Sequence, residues 1–227
     1  MTVEHTPPLV LPRGLIFLSS LWLIGSWIIA MGLRTPVQIS SASYTPNFRL
    51  MLLCIAIGLM VAWPLLRLSQ RLPSYPVLHI VLDLSVLVAL VQVILWPLRL
   101  ITPWTALRTA AIDATICGWL LLAGAVVASA VISRRAGPRN IAMVACVCMC
   151  VAGPAMASLG VRGGIADLEL IDLSPLIAVH TLTEGGGAQP TPAQWRWIAL
   201  LGLAALAVWA TLGAWLLWRR RAAPETA

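Results

Sequence analysis

Long apolar runs separated by short polar connections make up most of this chain. A helix needs about 20 mainly apolar residues to cross the hydrocarbon core of a bilayer. Six runs reach that length, and they predict transmembrane helices over residues 14–33, 48–66, 76–98, 104–132, 139–159 and 196–218. The pattern therefore predicts an all-α fold, a polytopic membrane helical bundle of six spans over residues 14–218, between an N-terminal segment (1–13) and a C-terminal tail (219–227).

The connection between the fifth and sixth predicted spans, residues 160–195, is itself partly apolar. Its stretch SPLIAVHTLTEGGG is too short to cross a bilayer. Ser174 suits an N-cap that accepts a free backbone N–H, Pro175 suits the first helical position, and the glycines at 185–187 suit the end of a helix. We predict a helix of about ten residues. It carries His180 and Glu184, and it lies at the outer interface or dips into the bundle.

Composition and charge indicate the class of protein and predict its orientation in the membrane. The chain is 60% hydrophobic with a mean hydropathy of +0.92, which excludes an ordinary soluble domain. Its net charge of +7 comes from arginine, since lysine is absent, and in a membrane protein such an excess is a topology signal. Arginines concentrate before span one, after span six and in the connections between spans two and three and spans four and five. Those residues are Arg13, Arg67, Arg71, Arg134, Arg135, Arg139, Arg219, Arg220 and Arg221.

This charge distribution predicts a plasma or inner membrane protein with both termini in the cytoplasm. The N-terminal stretch MTVEHTPPLVLPRG lacks the basic start of a signal peptide, so we expect the first helix to be retained. The remaining cations are thinly spread, which argues against a nucleic-acid partner.

Ionisable and amide side chains inside the predicted spans are candidate functional residues, because burying them in a membrane is costly. His79 and Asp83 are four residues apart in span three, so they share a helix face and are close enough to pair directly. Two roles stay open: a proton relay or substrate contact, or a neutralised pair that fixes helix packing. Gln92 needs a partner across helices, and Asp113 is expected near the outer interface, favoured by the helix dipole.

Close approach of helices is expected at the small residues Gly118, Gly124 and Ser129. All five cysteines fall within predicted spans. Cys146 and Cys150 share a helix face while Cys148 points away, so three thiolates do not converge and we predict no metal site. No catalytic motif, Walker A motif or cofactor motif is present in the sequence, so we predict no enzymatic activity and no cofactor.

The segment Leu173-Ser174-Pro175-Leu176, followed by a last span ending in three arginines, resembles the membrane subunit of an ABC-2-type exporter. That resemblance implies six spans, both termini inside, and short re-entrant or interfacial helices between spans five and six. It also implies a translocation path in the bilayer, a separate ATP-binding subunit, and a homodimer or a paired permease. The chain departs from the family before span one, where three prolines disfavour an amphipathic helix, and in the short loop RLSQRLPSYP.

Two other functions remain open from the sequence. The scarcity of buried charge and the short loops also suit a non-catalytic structural or assembly subunit of a larger membrane complex. His79 and Asp83 together suit a secondary transporter driven by protons. For any transporter, the few intramembrane charges favour an amphiphilic or lipid-like cargo over a small ion.

Overall fold

A computed structural model describes residues 13–33, 41–70, 75–133, 136–159, 164–165, 168–169 and 174–222. The elements, in chain order, are α1 (Arg13–Leu33), α2 (Ser41–Ile57), a π-helix (Gly58–Ala62), α3 (Trp63–Ser69), α4 (Pro76–Leu98), α5 (Ala106–Ile132), α6 (Ala136–Ser158), β1 (Gly164–Ile165), β2 (Leu168–Glu169), α7 (Pro175–Glu184) and α8 (Pro192–Ala222). The two short strands pair antiparallel, with Gly164 opposite Glu169.

Six helical stretches in the described part of the chain are long and apolar enough to cross a membrane, which confirms the all-α bundle. The second stretch starts earlier than predicted, because its helix begins at Ser41 and contains Pro46. The same stretch includes the π-helix, whose wider turn lies just before Pro64. The hydrophobic pattern of the sequence does not predict this irregularity. The predicted terminal segments lie outside the described residues, apart from Arg13 and the last turn of α8.

Helix α5 forms the centre of the bundle, packed against α4, α6, α7 and α8. Two of its glycines allow this close packing: a Cβ atom at Gly118 would lie 2.9 Å from Leu201 of α8, and one at Gly124 would lie 2.7 Å from Leu84 of α4. The prediction for these glycines is confirmed. Ser129 plays no such part, because it is exposed and its hydroxyl donates to the carbonyl of Val126 in its own helix.

Helices α1, α6 and α8 lie at the periphery. Only 11% of the α1 and α8 stretches is buried inside the bundle, against 67% of α5. Their exposed side chains are mainly apolar, as a lipid environment requires. The end of the bundle that holds Arg13, Arg67 and Arg139 is the one to which the sequence assigns most of the arginines, and we call it the arginine-rich end and the opposite one the α7 end.

The connection between the last two spans contains the predicted short helix. Helix α7 begins at Pro175 and ends at Glu184, and the glycine turn follows it directly, so the predicted bounds are confirmed. The prediction that Ser174 caps this helix is wrong, because its side chain makes no hydrogen bond to the first amides of α7. Its hydroxyl has a different partner, described below.

Candidate functional site

Helix α7 is sunk into the bundle rather than lying on its surface. It packs against α2, α5 and α6, and its buried side chains are Pro175, Ala178, Val179, Leu182 and Thr183. The residue before it, Ser174, is completely buried. A helix this short cannot cross a bilayer, so its ends must be satisfied by protein.

At the start of α7, the Ser174 hydroxyl donates a hydrogen bond of 3.1 Å to the carbonyl of Cys150 in α6. In an α-helix that carbonyl would accept from the amide four residues later, which is Pro154, and proline has no N–H. Ser174 therefore satisfies the carbonyl that Pro154 leaves free. This is why its hydroxyl is a donor to α6 and not a cap for α7.

The position of Cys150 along α6 shows how far α7 extends into the bundle. Cys150 lies about two turns before the end of α6 at Ser158, or roughly 12 Å at 1.5 Å per residue. The other end of α7, near Arg49 and Arg108, lies at the level where α5 begins. Helix α7 is thus re-entrant with respect to the bundle, because it runs from well inside the bundle to the α7 end.

At its other end, α7 is held by the side chain of Arg108 from α5, which is only 3% exposed. The guanidinium donates three hydrogen bonds to backbone carbonyls: Nη1 to Leu182 at 2.7 Å, Nε to Ala188 at 2.6 Å and Nη2 to Gln189 at 3.1 Å. Carbonyls at the end of a helix lack partners within the helix and carry partial negative charge. Arg108 caps these carbonyls and fixes the path of the chain into α8.

The glycine turn makes room for this cap. A Cβ atom at Gly185 would overlap the guanidinium of Arg108, so only glycine fits there without displacing the arginine. Gly186 adopts a positive φ of 52°, which favours glycine over other residues. The sequence GGG thus ends α7 and also admits Arg108 against the backbone.

The exposed rim of α7 carries the predicted residues His180 and Glu184. Glu184 forms an ion pair with Arg49 of α2 at 3.4 Å, and His180 Nδ1 lies 3.8 Å from the same carboxylate oxygen. The Glu184 side chain is 53% exposed, so these contacts contribute little to stability. His180 and Glu184 mark the outer surface of the site rather than its buried part.

Asp83 is the most deeply buried acid in the described part of the chain, but its partners differ from the predicted one. Its Oδ2 lies 3.3 Å from Arg67 Nε and accepts from the indole N–H of Trp63 at 3.5 Å. Both partners belong to α3. His79, although one turn away on the same helix, forms no hydrogen bond or ion pair with Asp83. The direct pair that the spacing allows is not formed, and the carboxylate is held by the Arg67 guanidinium and the Trp63 indole of α3 instead.

Gln92 has the cross-helix partner that was predicted. Its amide donates to Oδ1 of Asp113 in α5 at 2.7 Å and accepts from the Trp96 indole at 2.5 Å. Asp113 also accepts from the Cys117 thiol at 3.5 Å. Asp113 lies about two turns inside α5, beyond the first turn where the helix dipole acts, so the predicted dipole role is wrong. The Asp113 carboxylate instead accepts a hydrogen bond from the side-chain amide of Gln92.

The cysteine faces are as predicted, with Cys146 and Cys150 buried and Cys148 exposed on the opposite side of α6. Within the described residues, no three metal-ligating side chains converge.

Sequence reasoning missed the roles of Arg108, Arg67 and Gly185. One signal for Arg108 was present: an arginine two residues after the start of a buried helix must find partners inside the protein. Its acceptors are backbone carbonyls 74 to 81 residues away, which no pattern of residue types reveals.

These features define a class: a multi-pass helical membrane protein with a short helix, packed inside the bundle and hydrogen-bonded to it at both ends, between its last two spans. Comparisons with family models, curated proteins and solved structures found no match.

Proposed function

We propose that the protein is the membrane permease of an ATP-driven exporter, which provides the translocation path while a separate subunit hydrolyses ATP. The observation that carries the proposal is the re-entrant helix α7, bonded to α6 through Ser174 and to α5 through Arg108. Non-helical backbone at membrane depth is tolerated only where protein or a polar path surrounds it. We infer that a helix held in this way lines one end of the translocation path.

The proposal includes an orientation and a location. The arginine-rich end faces the cytoplasm of a plasma membrane, where positively charged connections are retained. The ATP-binding subunit docks at that end, opposite α7. Reporter fusions after Arg135 and after Gly186 are expected to report opposite sides of the membrane, and reports from the same side would overturn this orientation.

Recovery of partners from native membranes tests the function. The tagged protein, solubilised gently, is expected to retain a nucleotide-binding subunit and ATPase activity. Charge reversal of Arg139, near the start of α6 at the arginine-rich end, should reduce that recovery. Reversal of Arg99, exposed at the α7 end, is the matched control and should leave it unchanged. The absence of any ATP-binding subunit from the recovered assembly would overturn the proposal.

A structural or assembly subunit is the second candidate, favoured by the extensive exposure of α1 and α8. Each offers a long apolar face that another subunit can cover. This alternative predicts a stable assembly that contains no ATPase and that falls apart when this chain is lost.

A further inference from the structure

One side of α5 is not covered by its neighbours, although this helix forms the centre of the bundle. Five positions on that side are only partly buried: Ala110, Asp113, Ala114, Cys117 and Leu121. Their spacing of three or four residues places them on one face of the helix. Gly118, which meets α8, and Gly124, which meets α4, lie on either side of this face, so it forms the floor of a groove between α4 and α8. We call it the α5 groove.

The carboxylate of Asp113 lies in the α5 groove at membrane depth. Asp113 follows the first residue of α5 by a rise of roughly 10 Å at 1.5 Å per residue. The 27 residues of α5 are about 40 Å long, whereas the hydrocarbon core of a bilayer is about 30 Å thick. With α5 centred in the membrane, the carboxylate therefore lies roughly 5 Å below the surface of the core.

One oxygen of this carboxylate is free to accept a further partner. Oδ1 accepts from the Gln92 amide at 2.7 Å and from the Cys117 thiol at 3.5 Å. Oδ2 has no hydrogen-bond partner among the residues that the structure describes, and no arginine or histidine there forms an ion pair with Asp113. Arg108 of the same helix donates to the carbonyls beside α7 instead. A carboxylate at this depth is costly without a partner, so we expect a cation to approach Oδ2 through the groove.

We propose that the α5 groove is a docking surface for a transmembrane helix of another membrane subunit, which places an arginine or lysine against Oδ2 of Asp113. Small residues on the floor of the groove let a second helix approach closely, and the free oxygen selects a cationic donor. Gln92 holds the carboxylate in place, and its own oxygen accepts from the Trp96 indole.

A second copy of this chain is a poorer occupant of the groove. In a symmetric dimer the same patch meets itself, so the two Asp113 carboxylates would face each other, and like charges in contact are unfavourable. The surface does not rest on the proposed function, because it requires another membrane-spanning subunit and not an ATP-binding one.

Peptide probes of defined sequence test the charge selectivity of the groove. The full chain, with a fluorophore at its C-terminal end, is reconstituted in liposomes with a labelled transmembrane peptide of about 20 leucine and alanine residues. One peptide carries a single arginine roughly 10 Å from one end, and the other has leucine at that position. Energy transfer is expected to show that the arginine peptide binds roughly tenfold more tightly, the factor that corresponds to about 1.4 kcal/mol.

Variants of the chain locate the effect. Asp113→Asn keeps an acceptor for Gln92 but loses the charge, and it should remove the preference for the arginine peptide. Glu184→Gln removes an acid outside the groove and should leave the preference unchanged. Ala114→Leu fills the groove and should weaken binding of both peptides, whereas Ala207→Leu, at an exposed position of α8, should not. Thermal unfolding checks that each variant is folded.

Photo-cross-linking in native membranes identifies the occupant. A photoreactive residue at position 114 is expected to cross-link to a different polypeptide, and Asp113→Asn should abolish that adduct. Adducts with lipid alone, or with a second copy of this chain, would overturn the proposal. Equal binding of the two peptides, or a preference for the arginine peptide that survives Asp113→Asn, would overturn it as well.

Discussion

Two arginines at opposite ends of the bundle, Arg67 with a side chain that is 13% exposed and Arg108 with 3% of its surface exposed, are used in different ways. Arg67 faces the carboxylate of Asp83, so its charge is neutralised by one side chain. Arg108 forms no ion pair within the described residues and donates to three backbone carbonyls instead. The first arrangement balances charge, and the second fixes the position of a chain segment.

The two arginines also differ in the part of the chain that each one positions. Arg67 and Asp83 join α3 to α4, two elements that follow one another along the chain. Arg108 holds the end of α7 and the turn that leads to α8, where the glycines supply no packing of their own. A guanidinium suits this task because its planar fork presents five donors in fixed directions. We infer that α7 depends on Arg108 more than α3 depends on Arg67.

Replacing Arg108 should have the largest effect. Arg108→Gln removes three hydrogen bonds from a charged donor and leaves three carbonyls without partners, so we expect the free energy of unfolding to fall by about 4 kcal/mol. Arg108→Lys should recover only part of the loss, because an ammonium cannot reach all three acceptors. Thermal or denaturant unfolding in detergent measures both.

The matched control for Arg108 is Arg49→Gln. Arg49 also approaches α7, but through an exposed ion pair with Glu184 worth at most about 1 kcal/mol. Gly185→Ala is a second test of the role of Arg108. The added methyl group displaces the guanidinium from the carbonyls, although residue 108 is still an arginine. Similar losses for Arg108→Gln and Arg49→Gln would contradict the assigned role of Arg108.

The Arg67–Asp83 ion pair should respond differently to substitution, because the acceptor of Arg67 is a side chain and can be replaced as well. Asp83→Leu alone leaves Arg67 without its carboxylate and should cost about 3 kcal/mol. The double variant Arg67→Met, Asp83→Leu removes both charges and should return to within about 1 kcal/mol of wild type. A double-mutant cycle of unfolding free energies measures this recovery, which has no counterpart for Arg108.

His79 provides the control for this cycle. Since His79 makes no hydrogen bond or ion pair with Asp83, His79→Gln should change the free energy of unfolding by no more than about 0.5 kcal/mol. If His79→Gln lowered the free energy of unfolding as much as Asp83→Leu does, the result would support a direct interaction between His79 and Asp83.

The sequence predicts those features whose causes are local. The six spans follow from the length that a bilayer imposes, and the bounds of α7 follow from Pro175 and the glycines beside it. Contacts between side chains on different helices do not follow from local sequence in this way. Spacing along one helix makes His79 the obvious neighbour of Asp83, whereas Arg67 arrives from α3 only after the chain has folded. Ser174 has the chemistry of a cap, but a carbonyl freed in α6 is the partner it finds.

A smaller loss than those of Arg108→Gln and Asp83→Leu is predicted for this contact at the inner end of α7. Ser174→Ala should cost about 1 kcal/mol, because it leaves the Cys150 carbonyl without a donor. In a Pro154→Ala background the amide at position 154 can pair with that carbonyl, so the same substitution should cost much less. Unfolding free energies of the four proteins give the coupling. If Ser174→Ala costs the same in both backgrounds, the hydroxyl does not serve the carbonyl that Pro154 frees.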